Sequence, residues 1–353
     1  MTKFKTKHKA FALTKMRAAA LIIAALLTLA LLFTGCKQSA GGSNEGGSSG
    51  GSNSGGGTVH EAPFVEGGAS LILSPDRLTI KITATTSDGS SVTVEGCDKT
   101  ELTSGTQTEL KAKGTKVVLK GKITSLTCNF NKLTALNVQG LSALKSLGCS
   151  SNKLTALNVQ GLTALQTLSC GSNQLTALNV QGCTALEWLH CDSNQLTSLN
   201  VQGLSALKTL SCIYNQLATL NVQGCTALQR LSCYVNQLSS LNVQGLNALS
   251  DLDCSYNSLT SLNVQDCTSL ASLDCCINQL NAEAFKKLFN DLPYRLANRY
   301  GSCYLYHGVS EAAKGNHKDF ASPGELKTAF DDAKTTKHWK MYKRGNGAEI
   351  TEL

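Results

Sequence analysis

Residues 144–164, LKSLGCSSNKLTALNVQGLTA, decide how this chain folds, because the stretch recurs in step with itself along half the sequence. Asn131, Asn152, Asn173, Asn194, Asn215, Asn236, Asn257 and Asn278 stand 21 residues apart, and the neighbouring positions keep the same phase. Within one copy, Leu147 and Cys149 alternate with Ser146, Gly148 and Ser150, the period of a strand with one buried face. Stacked copies place these strands about 4.8 Å apart in a parallel sheet. Leu154, Leu157, Val159 and Leu162 close the inner side of the coil. The Asn column is placed to hydrogen-bond backbone groups at the bend after each strand, groups that would otherwise be buried without partners. Gly140, Gly161, Gly182, Gly203, Gly224 and Gly245 recur where the outer side must turn and are expected at positive φ, with Asp266 in that place in the last copy.

As a template, one copy reads L-x-x-L-x-C-x-x-N-x-L-x-x-L-N-V-Q-G-(L/C)-(S/T)-A. This is the leucine-rich-repeat signature. It closely resembles the Treponema-type bacterial subclass, found in surface proteins of spirochaetes and Bacteroidetes. The spacing predicts a leucine-rich-repeat solenoid over residues 123–280, with a parallel β-sheet, about eight 21-residue repeats and a non-helical convex side. Both ends of such a stack need covers. Strand-like Ser70–Leu73, Leu78–Ala84, Val92–Val94, Thr108–Lys111 and Val117–Leu119, with an Asp88-Gly89 turn, make residues 59–122 a β-rich N-terminal cap. Residues 281–353 read as an α/β C-terminal cap. There Asn281 caps a helix carrying Phe285, Leu288, Phe289 and Leu292. Ser302–Tyr306 and Trp339–Lys343 are strands, and Ser322, Pro323 and Glu325 announce a second helix through a capping box.

Of fifteen cysteines, Cys128, Cys149, Cys170, Cys191, Cys212, Cys233, Cys254 and Cys275 share one inward position, and Cys183, Cys225 and Cys267 alternate with Leu in another. That placement marks them as core thiols. Parallel Cβ vectors make poor bridge geometry, and a linear stack does not converge four ligands on zinc. Cys276 points outward by register, while Cys97 and Cys303 have no assignment.

Residues 1–35 read as a signal peptide. Lys3, Lys5, Lys7, Lys9, Lys15 and Arg17 precede a run from Ala18 to Phe33 of roughly sixteen residues, short of the ~20 that span a bilayer. The following Thr34-Gly35-Cys36 resembles the lipobox of bacterial lipoproteins, although Phe33 stands where the family usually has an aliphatic. The resemblance implies cleavage before Cys36 and lipidation of its sulfur. Residues 36–58, largely Gly, Ser and Asn, then form a flexible leash with a reach of roughly 25 Å. The net charge of +8 falls to about +2 without those six cations, and no strongly basic block remains, which argues against a nucleic-acid partner.

In leucine-rich-repeat proteins partners dock on the concave face of the sheet. The early rungs offer only small residues there, such as Ser125, Ser146, Gly148 and Thr167. The later rungs offer Trp188, His190, Asp192, Ile213, Tyr214, Arg230, Tyr234, Asp251, Asp253, Tyr256 and Asp274. Trp, Tyr and Arg carry binding energy at interfaces, although β-propensity alone also places Trp, Ile and Tyr on strands. The expected hot patch spans Trp188, Ile213, Arg230 and Tyr234, flanked by Asp251, Asp253 and Asp274. Neither the nucleophile-elbow, phosphate-loop and zinc-protease motifs nor a dinucleotide fingerprint occurs, and His190 with Asp192 lacks a nucleophile. No catalysis, metal or cofactor is therefore expected. The resemblance implies a membrane-anchored, surface-exposed adhesin or interaction protein binding a host extracellular or bacterial envelope protein. The alternative is a periplasm-facing scaffold that binds envelope proteins.

Overall fold

The computed structural model describes residues 62–308, 315–345 and 349–353. They form a leucine-rich-repeat solenoid. Its spine is a thirteen-stranded sheet whose middle consists of one short strand per rung. Strands Ser146–Gly148, Thr167–Ser169, Trp188–His190, Thr209–Ser211, Arg230–Ser232, Asp251–Asp253 and Ser272–Asp274 pair in parallel with an unbroken 21-residue offset. On the opposite side the coil is nearly all turn, with short parallel pairs such as Ser198–Asn200 beside Thr219–Asn221.

The interior is a stack of identical columns. Leu147, Leu168, Leu189 and Leu210 are fully buried, as are Cys149, Cys170, Cys191 and Cys212. All fourteen described cysteines are buried free thiols, whereas Cys36 lies outside the described residues. Burial pushes the thiols of Cys128 and Cys170 up to about 12, so they stay neutral and pack as small apolar groups. Cys183, Cys225 and Cys267 each donate to the carbonyl of a valine, Val159, Val201 and Val243, at 3.1 Å.

The Asn column satisfies the bend. Asn173 Nδ2 donates to the carbonyl of Cys149 (3.0 Å) in the preceding rung and of Cys170 (2.9 Å) in its own, while its Oδ1 accepts from Leu154 N at 3.0 Å. Asn194 and Asn215 repeat the pattern. Each buried amide therefore ties two rungs together through backbone groups that water cannot reach. Gly161 (φ 75°) to Gly245 (φ 75°) and Asp266 (φ 62°) take the left-handed turn as expected. Gly140 does not. It lies against the N-terminal cap, where an added Cβ would sit 1.8 Å from the Val65 carbonyl oxygen, so close approach rather than positive φ requires glycine there.

Both ends continue the columns with unrelated sequence. At the N-terminal end Thr79–Thr86 runs antiparallel to Ile123–Thr127, and Asn131 exchanges hydrogen bonds with the backbone of Lys81 (2.9 and 2.8 Å). At the C-terminal end Gly301–His307 pairs in parallel with the last rung, Trp339–Arg344 pairs in parallel with it, and Ile350–Glu352 closes the edge antiparallel. Helix α1 (Ala282–Asp291) begins at Asn281, whose side chain accepts from Ala284 N. Helix α2 (Glu325–Thr335) does not use the expected capping box: it starts after Gly324 with no side-chain cap. The Ser322 hydroxyl is engaged instead by Asp319. Phe285, Phe289, Phe320 and Phe330 pack ring to ring at 5.2–5.7 Å beneath these strands.

Two features of the C-terminal cap escaped the sequence reading. Asn316 stands in the ladder as if it were a further repeat, donating to Cys275 O (2.8 Å) and Leu305 O (2.6 Å) and accepting from Leu280 N (3.0 Å). Cys303 is fully buried and adds a thiol beside Cys275.

Candidate functional site

Because the rungs stack in register, each outward position becomes a row along the open face. One row runs Ser146, Thr167, Trp188, Thr209, Arg230, Asp251, Ser272. The next runs Gly148, Ser169, His190, Ser211, Ser232, Asp253, Asp274 and continues through Tyr304 to Tyr342 in the cap. Beyond the strand end the repeat adds Asp192, Ile213 and Tyr234, and then Tyr214, Val235, Tyr256 and Ile277.

Trp188 is 39% exposed, with Lys208 Nζ 5.3 Å from its ring centre and Lys208 held by Glu187 at 2.7 Å. Lys208 was not anticipated, since it precedes the strand and reaches the ring only through its long stem. Arg230 stands two strands away, exposed, with Asp251 only loosely paired at 3.9 Å. Tyr214 and Tyr234 meet edge to face at 5.3 Å. Burial, with Tyr214, Asp253 and Asp192 nearby, pushes the Tyr234 phenol well up, so it remains a neutral donor. Asp192 accepts from Ser211 Oγ (2.5 Å) and from Ile213 N (3.1 Å). Its carboxylate thus organises the next rung rather than His190.

The row holding Tyr214, Val235, Tyr256 and Ile277 has left-handed backbone, at φ 53°, 55°, 54° and 53°. The same row in earlier rungs holds Phe130 at φ 61° and then Ser151, Ser172 and Ser193 at φ 57°, 56° and 54°. Serine adopts this region at modest cost, whereas a β-branched residue does so only under strain of order 1–3 kcal/mol. Large apolar residues therefore stand in this row of the later rungs despite the backbone cost.

The acidic flank is not one surface. Asp251 is exposed, but Asp274, expected on the open face, is buried. Arg344 reaches back from the last long strand, donates to Asp274 Oδ2 through Nε at 3.0 Å and through Nη2, and lies 4.5 Å over the Tyr304 ring. Asp253 beside it is held up to about 6 by burial and by the charge of Asp274, and it accepts from Ser255 Oγ (2.7 Å) and N (3.1 Å). Cys276, expected to point to solvent, is likewise fully buried. Burial and the adjacent Asp274 push its thiol far up, which makes it inert. Asp274 is covered by Arg344, which the cap strand Trp339–Arg344 carries back over the last rung, and Ser255, one rung before Cys276 in its row, is buried as well. Among the described residues no group of three or more side chains is arranged to hold a metal.

No family model matches the chain, and no curated protein does. Among solved structures it is similar to the functional domain of InlJ from Listeria monocytogenes, described as including a cysteine ladder. That match has 29% identity over 64% of this chain and 44% of that one, with a TM-score of 0.49. It is also similar to YopM, a leucine-rich effector protein from Yersinia pestis, at 28% identity over 44% of each chain and a TM-score of 0.39. A leucine-rich-repeat protein of Leptospira interrogans, LIC12759, gives 26% identity over 49% of this chain and 50% of that one, with a TM-score of 0.39. The matched region spans half or less of each of these proteins.

Proposed function

We propose that this is a non-enzymatic, protein-binding surface lipoprotein, tethered through Cys36 and the Gly/Ser-rich sequence after it and docking its partner on the later rungs. The observation that carries the reading is the selective enrichment of one face. Trp188, Arg230, Tyr214 and Tyr234 occupy positions that the rungs around Asn152 and Asn173 give to small residues, and the fold itself has no use for them. Trp, Tyr and Arg are the residue types that dominate binding energy at such faces. The strained backbone under Val235 and Ile277 points the same way, since strain persists where a site requires it. No helix among the described residues is long and apolar enough to cross a membrane. The reading of residues 18–36 assigns attachment to a lipid on Cys36, and the partner is read as a host extracellular or bacterial envelope protein.

Capture on the purified full chain tests the docking face. Proteins crosslinked to the wild type are expected to be lost from Trp188→Ala and Arg230→Ala variants whose unfolding midpoints are unchanged. Undiminished capture by both variants would reject the face. Labelled palmitate incorporated into the wild type but not into Cys36→Ser tests the anchor. Protease shaving of intact cells then separates an outward-facing adhesin from the periplasm-facing scaffold.

A further inference from the structure

The early rungs, small-featured by sequence, carry one large exception. Phe130 is 68% exposed, more than Trp188, and it sits at φ 61°. It forms one wall of a 280 Å³ cavity at the junction of cap and first rung, completed by Arg77, Lys81, Gln107, Thr127, Asn129 and Asn131. This lies three rungs, about 14 Å, from the rung of Asp192.

The lining has unspent donors. Arg77 has no carboxylate within ion-pair distance among the described residues, and its Nε reaches only the Thr79 carbonyl at 3.4 Å. Lys81 is held loosely by Glu109 at 3.8 Å. Asn129 uses its Oδ1 to accept from Ser150 N (2.6 Å), and among the described residues neither its amide N–H groups nor the Gln107 side chain has a partner. The floor is fixed, because Asn131 clamps the Lys81 backbone on both sides. A guanidinium, an ammonium and two planar amides thus surround a space beside a flat aromatic ring.

We propose that this cavity binds a carboxylate-bearing sugar, of the uronic or sialic acid class. Its carboxylate takes Arg77 and Lys81, its hydroxyls take Gln107 and Asn129, and its apolar ring face lies on Phe130. The volume is at the small end of ligand sites, ~300–1,000 Å³, which suits one ring rather than a folded partner. A glutamate peptide satisfies the two cations and, through its backbone, the two amides, but it brings no rigid apolar face to the exposed Phe130 ring.

Calorimetric titration of the full chain with methyl glucuronide and with N-acetylneuraminic acid tests this, with methyl glucoside and a short glutamate peptide as controls. At least one acidic sugar is expected to bind saturably, and at least tenfold more tightly than either control. Phe130→Ala and Arg77→Gln should each weaken that binding tenfold or more with unchanged unfolding midpoints, while Trp188→Ala leaves it intact. The site falls if neither acidic sugar saturates, if both variants bind as the wild type does, or if the glutamate peptide binds as tightly as the sugars. Loss of later-rung docking in Trp188→Ala would not bear on it.

Discussion

The rungs around Asn152 and Asn173 and those around Asn215 and Asn257 are the same inside and different outside. Their Leu, Cys and Asn columns superpose in register, with the same amide bonding to carbonyls one rung back. Outside, the early rungs show Gly148, Ser150, Ser151 and Ser172 where the later ones show Ser232, Tyr234, Tyr214 and Tyr256. A stacked fold constrains every inward position, because each side chain meets its own copy 21 residues away, and it leaves the outward rows open to variation. Breaking the shared interior should therefore hurt both halves alike, whereas changes on the face should separate them.

The largest effect is expected from the Asn column. Asn194→Ala leaves Leu175 N without its acceptor and takes one of two amide donors from each of the Cys170 and Cys191 carbonyls, all buried, whose other donors are Asn173 and Asn215. The cost should be about 3 kcal/mol or more, and Asn173→Ala should match it. Urea unfolding measures both, and a marked difference between them would mean the interior is less uniform than its geometry.

Next in size is the ion pair that covers the last rung. Arg344→Met leaves Asp274 buried without its cation, a loss of roughly 2 kcal/mol once the partial exposure of Arg344 is discounted. The double variant Arg344→Met with Asp274→Leu should recover most of it. No recovery would show that Arg344 acts by packing on Tyr304 rather than through its charge.

A smaller, pH-dependent effect follows from Asp253. Its folded pKa of about 6 lies above the ordinary 3.8, so the native state holds its proton more tightly than the unfolded chain. The sign is then fixed: stability is greatest below about pH 4 and declines as pH rises towards 6. Hydrogen-bonded carboxylates elsewhere, such as Asp98 and Asp319, have lowered values and act in the opposite direction. The comparison with Asp253→Asn isolates the group. Between pH 4 and 7 the wild type should lose on the order of 2 kcal/mol relative to the variant. Parallel stability curves would remove Asp253 as the source.

The period made the interior legible, since one 21-residue offset predicted the Cys, Leu and Asn columns and the parallel sheet that they build. The strands of the N-terminal cap were legible from alternation, but not that one of them, Thr79–Thr86, pairs antiparallel with the first rung and bonds Asn131. The ends of the ladder were invisible for a common reason. Asn316 and Cys303 complete columns from sequence without the repeat, and Arg344 reaches Asp274 across 70 residues. Cys276 and Asp274 were misplaced because register says which way a side chain points, not what lies over it. Phe130 shares the row of Tyr214 and Tyr256 and was missed because the first rungs were read at their strand positions alone, where every residue is small.

The smallest effect sharpens the comparison most. If the later rungs carry strain for the sake of their face, then relieving it must stabilise the protein there and scarcely at all in the early rungs. Val235→Gly removes a β-branched side chain from φ 55° while keeping the Val235 N to Ser255 O bond of 3.2 Å. Glycine occupies this region freely, so the native backbone relaxes by about 1 kcal/mol, partly offset by the greater entropy of the unfolded glycine chain. Ser172→Gly, at φ 56°, begins from a residue better suited to the turn and should gain about half as much or nothing. A rise in the Val235→Gly unfolding midpoint beyond that of Ser172→Gly places the strain in the face. Equal shifts, or a fall in both, would mean that the stacked backbone sets this angle at no cost, and that the large residues there are tolerated rather than held.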